Sequence, residues 1–558
     1  MYFKPGEKAW SVKPPMPDDN VISDGGAADV VVIGAGFAGL LAARTLAENG
    51  KTVILIEKAK KENRWRNTLG GSEWAAFNSK FGIGMGVPEY DPVDYIVEYQ
   101  KRSLCRCNQP LVSKIAYNQG ATLDWFIEPL PERFKECLTV FNPQHSTFTG
   151  DTNGYKSFAG TVYFDKPPKD PSVKNFNLSP NSLARAMEWM MDYVVDELGV
   201  KFFYDMSGEQ LEKNADGRVT AVIAKDGDGN YHRFTGKTAV VLAAGDFSGN
   251  HDMVIDLLDE FAELNHGGEK YPFIRGVGRD GSGIMMGVWA GGHIEAGPRS
   301  GMYACQVGRG GFMGGLRLNQ HGKRFGNECM AGSFIAATAG CRQPDGSIVA
   351  LWDSDWVEKN AKRVSYDHGS TDYFAHQTEE ELSHAYDKAL EDMEARKRGE
   401  KVELDDIHMA GIIAIKGNTV AAAETLDELA DVLGYTGKYK ENFLAAIKRY
   451  NELCYLGKDM DFGKDAQYMQ PIDKAPFFGE KVAKDAGSIM VTEAGLVVDD
   501  NQQVLDDAGD PIPGLFATGQ CAGEIFPMQY CPPMSGCGIG TCTTLGRLVG
   551  LYLSDCTE

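Results

Sequence analysis

The sequence predicts an α/β fold, and three stretches carry that prediction. Val30 to Ile33, begun at Asp29, is a continuous β-branched run that suits a strand buried on both faces, and it closes on a G-x-G-x-x-G turn at Gly34, Gly36 and Gly39. An Ala/Leu-rich helix follows to about Asn49, and a second strand, "TVILIE", ends at Glu57. Much later, "TAVVLAAGDFSGN" and "GLFATGQCAGEIF" each repeat a buried strand that ends in an A-x-G turn.

Each part of the first unit has a physical reason. The glycines allow a tight turn, let the backbone approach a pyrophosphate and let helix pack on strand. The helix opens at Phe37 and Ala38 and offers the positive end of its dipole to that pyrophosphate, while Glu57, with Lys58 beside it, is placed to accept hydrogen bonds from a ribose hydroxyl. Strand, glycines, helix, strand and terminal acid together predict a bound dinucleotide.

Composition limits the rest. At 558 residues and 43% hydrophobic the chain buries a large core and is expected to form two or more domains. A net charge of -22 argues against a nucleic-acid or anionic-membrane partner. The start, "MYFKPGEKAWSVKPPMPDD", carries no leader pattern, so a cytoplasmic location is expected. The apolar run "VVVIGAGFAGLLAARTLA" is broken by three glycines and bounded by Asp29 and Glu48, which fits a buried strand and helix better than a membrane span. Twelve cysteines are an ordinary number for a reducing compartment, and none of the ten histidines pairs at metal spacing, so no metal is expected.

The strand and glycine layout resembles FAD-dependent proteins of the two-dinucleotide-binding-domain type. "NQHGKRFGNE", Asn319 to Glu328, is similar to the NxxGKRFxNE signature of the flavoprotein family that contains fumarate reductase, urocanate reductase and the 3-ketosteroid dehydrogenases. "TLDELADVLG", "AAIKRYNELCYLGKDMDFGK" and "PIDKAPFF" resemble the same family's helical stretch before its last FAD segment. The resemblance implies a discontinuous Rossmann-like FAD-binding domain, residues 29–272 and 482–558, with an inserted α+β capping domain at 273–481 and an N-terminal arm at 1–28. The charged run "EEELSHAYDKALEDMEARKRGEKVELDD" reads as an exposed helix of that cap.

The same resemblance implies the cofactor contacts. Thr68, Gly70, Gly71 and Ser72 would face FAD, as would Ala244 and Gly245 after the middle strand, and Gly519 and Gln520 would lie beside the ribityl chain or the ring. Family members that carry flavin covalently have a histidine beside the GG turn; "RWRNTLGGSEWAA" has none, so noncovalent FAD is expected. Four cysteines, Cys521, Cys531, Cys537 and Cys542, stand at spacings unlike those of zinc or cluster sites. They are expected in the stretch laid against the flavin, where Gly536, Gly538 and Ile539 open a last helix whose amides face the ring.

Missing groups bear on the reaction. The arginine acid of soluble fumarate and urocanate reductases corresponds to Gly332, a substrate histidine to Val491, and a further arginine falls near Pro533. A dicarboxylate would thus meet few counter-charges. The ketosteroid branch holds the ketone oxygen with a tyrosine hydroxyl and a glycine N–H; Tyr530 and Gly536 correspond, although the tyrosine lies two residues further away and a second family tyrosine is replaced by Gly332. Tyr303, Arg299 and Arg317 are further candidates. The chemistry implied is hydride exchange between flavin N5 and a carbon next to an activating carbonyl, in either direction. The chain lacks haem, Fe-S and second nucleotide motifs, so electrons are expected from or to a separate quinone, redox protein or transient nicotinamide. The alternatives are an enoate reductase whose arginines sit elsewhere, at Arg275, Arg299 or Arg317, and a flavin-free binding module on the same fold, against which the intact glycines and Glu57 speak.

Overall fold

The computed structural model describes residues 9–68, 73–140, 151–164, 179–258, 279–299, 301–303, 315–329, 343, 348–356, 358, 383–384, 386–404, 420–482, 489–530 and 532–556. Its centre is an eight-stranded sheet in which Pro511–Ala517, Tyr231–Leu242, Ile22–Ile33, Val53–Ile56 and Lys201–Phe203 lie side by side, all parallel. Val30, Val31 and Val32 are fully buried, because helices cover both faces of a parallel sheet and leave no side for water. The first strand begins at Ile22, ahead of the expected Asp29, since its polar leading half pairs with Tyr231–Thr235. Val219–Asp226 and Met206–Lys213 extend the sheet antiparallel from that end.

The second strand in sequence lies on one side of the first strand, and Tyr231–Leu242 lies on the other. Strand order therefore reverses at the first strand, and its carboxyl end opens the crevice in which α/β sheets bind ligands. The last helix, Cys537–Asp555, closes on the first helix, Phe37–Glu48, through two glycines one helical turn apart. A Cβ on Gly546 would lie 2.2 Å from the Ala38 carbonyl oxygen, and one on Gly550 would lie 2.7 Å from Thr45 Cβ.

A separate four-stranded antiparallel sheet joins Leu316–Asn319, Ile348–Trp352, Phe477–Val482 and Val420–Ala423. One face packs Leu318, Leu351, Phe443 and Ile447; the other packs Trp352, Tyr386 and Phe478. Helix Leu426–Val432 starts with a complete capping box between Thr425 and Glu428, and Gly437–Leu456 follows. In the charged run a helix forms at Asp387–Lys397, with Ala389 and Met393 buried and Lys388 and Lys397 ion-paired. Helix Ser282–Trp289, which lies within the insert expected from residue 273, packs Ile284 and Met286 into the core of the large sheet. In the arm, Trp10 is buried and donates its indole N–H to Asp256 at 2.7 Å. Among the described residues no helix is long and apolar enough to cross a membrane.

Candidate functional site

The crevice at the strand ends is lined by Ile33, Gly34 and Gly36, by Ile56, Glu57 and Lys58, by Ala243 to Gly245, and by Met206, Ser207, Gly208, Arg279 and Ser282. Gly34 has φ +99°, and a Cβ there would stand 2.5 Å from the Ala243 carbonyl oxygen. Only glycine lets the first and middle strands end this close together. Gly36 is the N-cap of the first helix and supplies no side-chain cap, so the amides of the first turn stay open toward the crevice.

Glu57 is 6% exposed. Its carboxylate accepts the Ala35 N–H at 2.9 Å and the Ala59 N–H at 2.8 Å. Each oxygen keeps a second lone pair, so the acid fastens the glycine turn and still has acceptor capacity for a ribose hydroxyl. Lys58, expected at the cofactor, pairs with Asp280 at 2.8 Å. Thr68 ends a 3-10 helix from Lys61, while Gly70, Gly71, Ser72, Arg275, Gly332 and Cys531 lie outside the described residues.

The late A-x-G turn joins the same crevice. The Thr518 N–H bonds the Leu242 carbonyl at 2.9 Å, and the Cys521 thiol faces the Gly245 carbonyl at 3.3 Å. Gly519, at φ +60°, would place a Cβ 2.7 Å from that of Ala38. Burial pushes the Cys521 thiol up to about 12 and raises Cys542 further, so both stay protonated and act as small apolar groups. Cys521, Cys537 and Cys542 are all free thiols.

At the start of the last helix, Gly536 has φ +74° and would carry its Cβ 2.8 Å from the Ala75 nitrogen. Tyr530 is 3% exposed, and its hydroxyl accepts the Gly538 N–H at 3.2 Å. A hydroxyl oxygen that accepts an N–H can also donate one hydrogen bond. Around it, Phe526 lies 4.8 Å from the Tyr530 ring, Tyr99 lies 5.6 Å from Phe526, and the Tyr95 hydroxyl lies 3.5 Å from Cys537 Sγ.

No described contact brings Arg317 to this place. Arg317 is buried in the four-stranded sheet, where its backbone N–H faces Glu328 at 3.4 Å and burial lowers its pKa. Tyr303 ends the short strand Gly301–Tyr303, paired with Ile489–Thr492. Arg299 donates its Nε–H to the Glu295 carbonyl at 2.7 Å.

Three buried acids behind the crevice escaped the sequence reading. The Asp246 carboxylate accepts the Thr492 N–H at 2.7 Å and lies 3.8 Å from Arg279; Glu493 is buried nearby; Glu295 is 1% exposed and accepts the Glu524 N–H. Burial pushes the Glu295 carboxyl up from 4.5 to about 8, while the Glu524 N–H and Arg299 pull it the other way. Between those values the folded protein holds a proton that the unfolded chain has released. This contribution to stability is thus complete below about pH 4.5 and lost as pH rises to about 8. The thermal midpoint is expected to fall across that window, and Glu295→Gln is expected to flatten the fall; an unchanged slope would remove Glu295 as the group. Arg279 and Ser282 were missed too, although Asp280, Gly281 and Ser282 ahead of an apolar run form a helix-start signal.

Comparisons with known proteins fall on this architecture. Residues 29–539 match the profile of the family described as FAD binding domain. The chain is 24% identical over 540 residues to a vinyl phenol reductase of Lactiplantibacillus plantarum, covering 95% of this chain and 97% of that one. It is 25% identical over 586 residues to a 4-oxocyclohexanecarboxylate 2-dehydrogenase of Sinomonas cyclohexanicum, covering 94% and 92%. Among solved structures, a 3-ketosteroid-Δ4-(5α)-dehydrogenase of Rhodococcus jostii RHA1, in complex with 4-androstene-3,17-dione, superposes with a TM-score of 0.66 at 19% identity over 97% of this chain and all of that one.

Proposed function

This chain belongs to the FAD-binding domain family and is an FAD-dependent oxidoreductase, and from that premise we propose that it acts on a carbon-carbon bond adjacent to a carbonyl in a cyclic or bulky neutral substrate. The crevice residues fit FAD. Gly34 and Gly36 clear the approach to the pyrophosphate, the open first turn of Phe37–Glu48 meets its charge, and Glu57 meets the ribose. Bound FAD supplies hydride exchange at the reacting carbon. The protein's part is to hold the substrate oxygen and to manage the charge that develops there.

The observation that carries this reading is the Tyr530 hydroxyl set on the Gly538 N–H at the positive end of a nineteen-residue helix. It is a donor for a ketone or enolate oxygen in a surround of Phe526, Tyr95 and Tyr99. Such donors, aimed at developing negative charge in a site without water, lower the barrier in both directions. The relatives act, by their names, on a vinyl phenol and on 4-oxocyclohexanecarboxylate, both six-membered-ring compounds, which supports a cyclic substrate. The carboxylate alternative gains no support from Arg299, which serves the Glu295 carbonyl, or from Arg317, which sits in the cap interior. FAD is held noncovalently in this reading, and electrons pass to or from a separate partner.

The test is to reduce the FAD-loaded protein without oxygen and follow flavin reoxidation by cyclic enones, vinyl phenols and fumarate-like diacids. Reoxidation by ring compounds is expected; reoxidation by diacids alone would overturn the reading. Tyr530→Phe is expected to slow turnover at least about tenfold. An unchanged rate would remove Tyr530 as the donor.

A further inference from the structure

Lys58 lines the cofactor crevice, yet its ammonium is engaged by a protein carboxylate, Asp280, at 2.8 Å. The two partners belong to opposite walls of the crevice. Lys58 follows the second strand, Val53–Ile56, directly after the acid Glu57 that holds the Ala35 N–H. Asp280 is fixed to the segment that leaves the middle strand. There the Gly281 N–H donates to the Asp246 carbonyl at 3.1 Å, the Gly249 N–H to the Arg279 carbonyl at 2.6 Å, and the Asn250 side-chain amide to the Asp280 carbonyl at 3.0 Å. The first strand, which runs into Gly34, lies between the second and middle strands in the sheet. Neighbouring strands stand about 4.8 Å apart, so the pair joins segments that leave strands roughly 10 Å apart. Arg279 and Ser282, on either side of Asp280, line the crevice as Lys58 does, so the bridge runs from one lining to the other. Its side chains keep 28% and 49% of their exposure, and an ion pair this open to water adds little to folding stability. Asp280 also has a hold of its own, because its other carboxyl oxygen accepts the Ser282 N–H at 3.0 Å.

We propose that the Lys58–Asp280 pair is a clasp across the FAD crevice, which opens for the cofactor to enter and to leave. FAD held without a covalent bond stays only as long as its crevice keeps it. A clasp has a kinetic signature that a direct cofactor contact lacks. Removing it speeds entry and exit alike, so the dissociation constant moves less than either rate. A Lys58 ammonium that bound a phosphate oxygen of the cofactor would act on exit alone, in the way most contacts do. Asp280 would then be a competitor for that ammonium, and its loss would not speed release. The inference rests on FAD filling this crevice, not on the substrate assigned above.

The experiment uses the full-length FAD-loaded protein. Flavin fluorescence follows FAD release on dilution and FAD uptake by the emptied protein, at about 0.01 M and about 1 M salt. The variants are Lys58→Gln, Asp280→Asn and the two combined; asparagine keeps an oxygen for the Ser282 N–H. At low salt each single variant is expected to release FAD about twofold to fivefold faster than the wild type and to take it up faster by a similar factor. The combined variant is expected to be no faster than either, because both changes remove one interaction. High salt is expected to speed the wild type toward the variants and to leave the variants nearly unmoved. Lys60→Gln, which removes the neighbouring pair with Asp205 at 3.9 Å, is expected to match the wild type. Release unchanged in both single variants overturns the proposal. Faster release with unchanged uptake also overturns it, as does an effect of Lys58→Gln without one of Asp280→Asn, either of which makes Lys58 a cofactor contact. If Asp280→Asn does not fold, the uptake rate of Lys58→Gln decides alone. A protein that neither holds nor takes up FAD would overturn the cofactor assignment itself.

Discussion

Replacing Gly39 by alanine is expected to leave a protein that no longer retains FAD through purification. An added Cβ would stand 1.9 Å from the Gly34 carbonyl oxygen and 3.0 Å from Ala243 Cβ, and the first of these is backbone that cannot rotate away. Relief requires the helix Phe37–Glu48 to lift off the strand end. That helix is anchored by Leu40, Leu41, Ala42, Ala43 and Leu46, all fully buried, and by the glycine contacts with the last helix. Overpacking of this kind costs about 1–3 kcal/mol when side chains can adjust, and here they cannot. The open amides of the first turn would move with the helix, away from the position that meets a pyrophosphate. Flavin content per protein, read from the visible spectrum, is expected to fall at least about tenfold, in line with the loss of 1.4 kcal/mol or more of binding energy. Gly50→Ala is the control. Gly50 has φ +81° and open space around its Cβ, so it carries backbone strain without a clash and is expected to keep its flavin. A yellow, fully loaded Gly39→Ala protein would sink the argument.

The contrast between those two glycines shows what the sequence could make legible. The G-x-G-x-x-G unit is local: strand, turn, helix and acid follow one another within thirty residues, and their period and spacing reveal how they fold. The middle and late strands were readable for the same reason, each being a short apolar run closed by a turn. The buried acids were not. Asp246 meets Thr492, and Glu295 meets Glu524, across more than two hundred residues of chain, and nothing in the local pattern of either acid marks it as an interior one. Tyr530 was picked out by its neighbourhood, but the Gly538 N–H on its hydroxyl was not, because Gly536 before it sits in a left-handed turn against Glu73 and Ala75 that no local pattern announces. The NxxGKRFxNE signature was readable as a family mark while its physical role was hidden, because its charges find partners, Asp459 and Lys464, more than a hundred residues away in sequence.

That role leads to the second large effect, expected on stability and not on cofactor binding. Arg324 binds Glu328 with two hydrogen bonds, at 2.8 and 2.9 Å, and Asp459 with two more, at 3.0 and 2.7 Å. Lys464 approaches Glu328 at 3.4 Å and also donates to the Tyr450 hydroxyl and the Gly315 carbonyl. The four charged side chains are almost completely buried. Asn319 closes the turn by accepting the His321 and Lys323 N–H groups, and Gly322 lies against the helix Gly437–Leu456, 2.4 Å from the Tyr439 carbonyl for an added Cβ. The signature is therefore the brace that ties the strand Leu316–Asn319 of the four-stranded sheet to the helix Gly437–Leu456. Glu328→Gln keeps the shape and removes one charge, leaving Arg324 and Lys464 with Asp459 as their only described carboxylate partner in the network. Breaking a buried pair in this way costs about 3–5 kcal/mol. A calorimetric scan is expected to show an earlier unfolding transition for Glu328→Gln, while Lys440→Gln, which removes an ammonium from Asp427 and Asp431, leaves it in place. The pH sign follows from the acids. Burial opposes ionisation of Glu328, but Lys464 and Arg324 outweigh it and pull its pKa down, and Asp459 is held at about 2. Their contribution is present above the ordinary carboxylate values and lost as pH falls toward about 2, the opposite direction to the Glu295 effect. An unfolding transition unmoved by Glu328→Gln, or one that strengthens in acid, would show that the brace does not hold the four-stranded sheet to its helix.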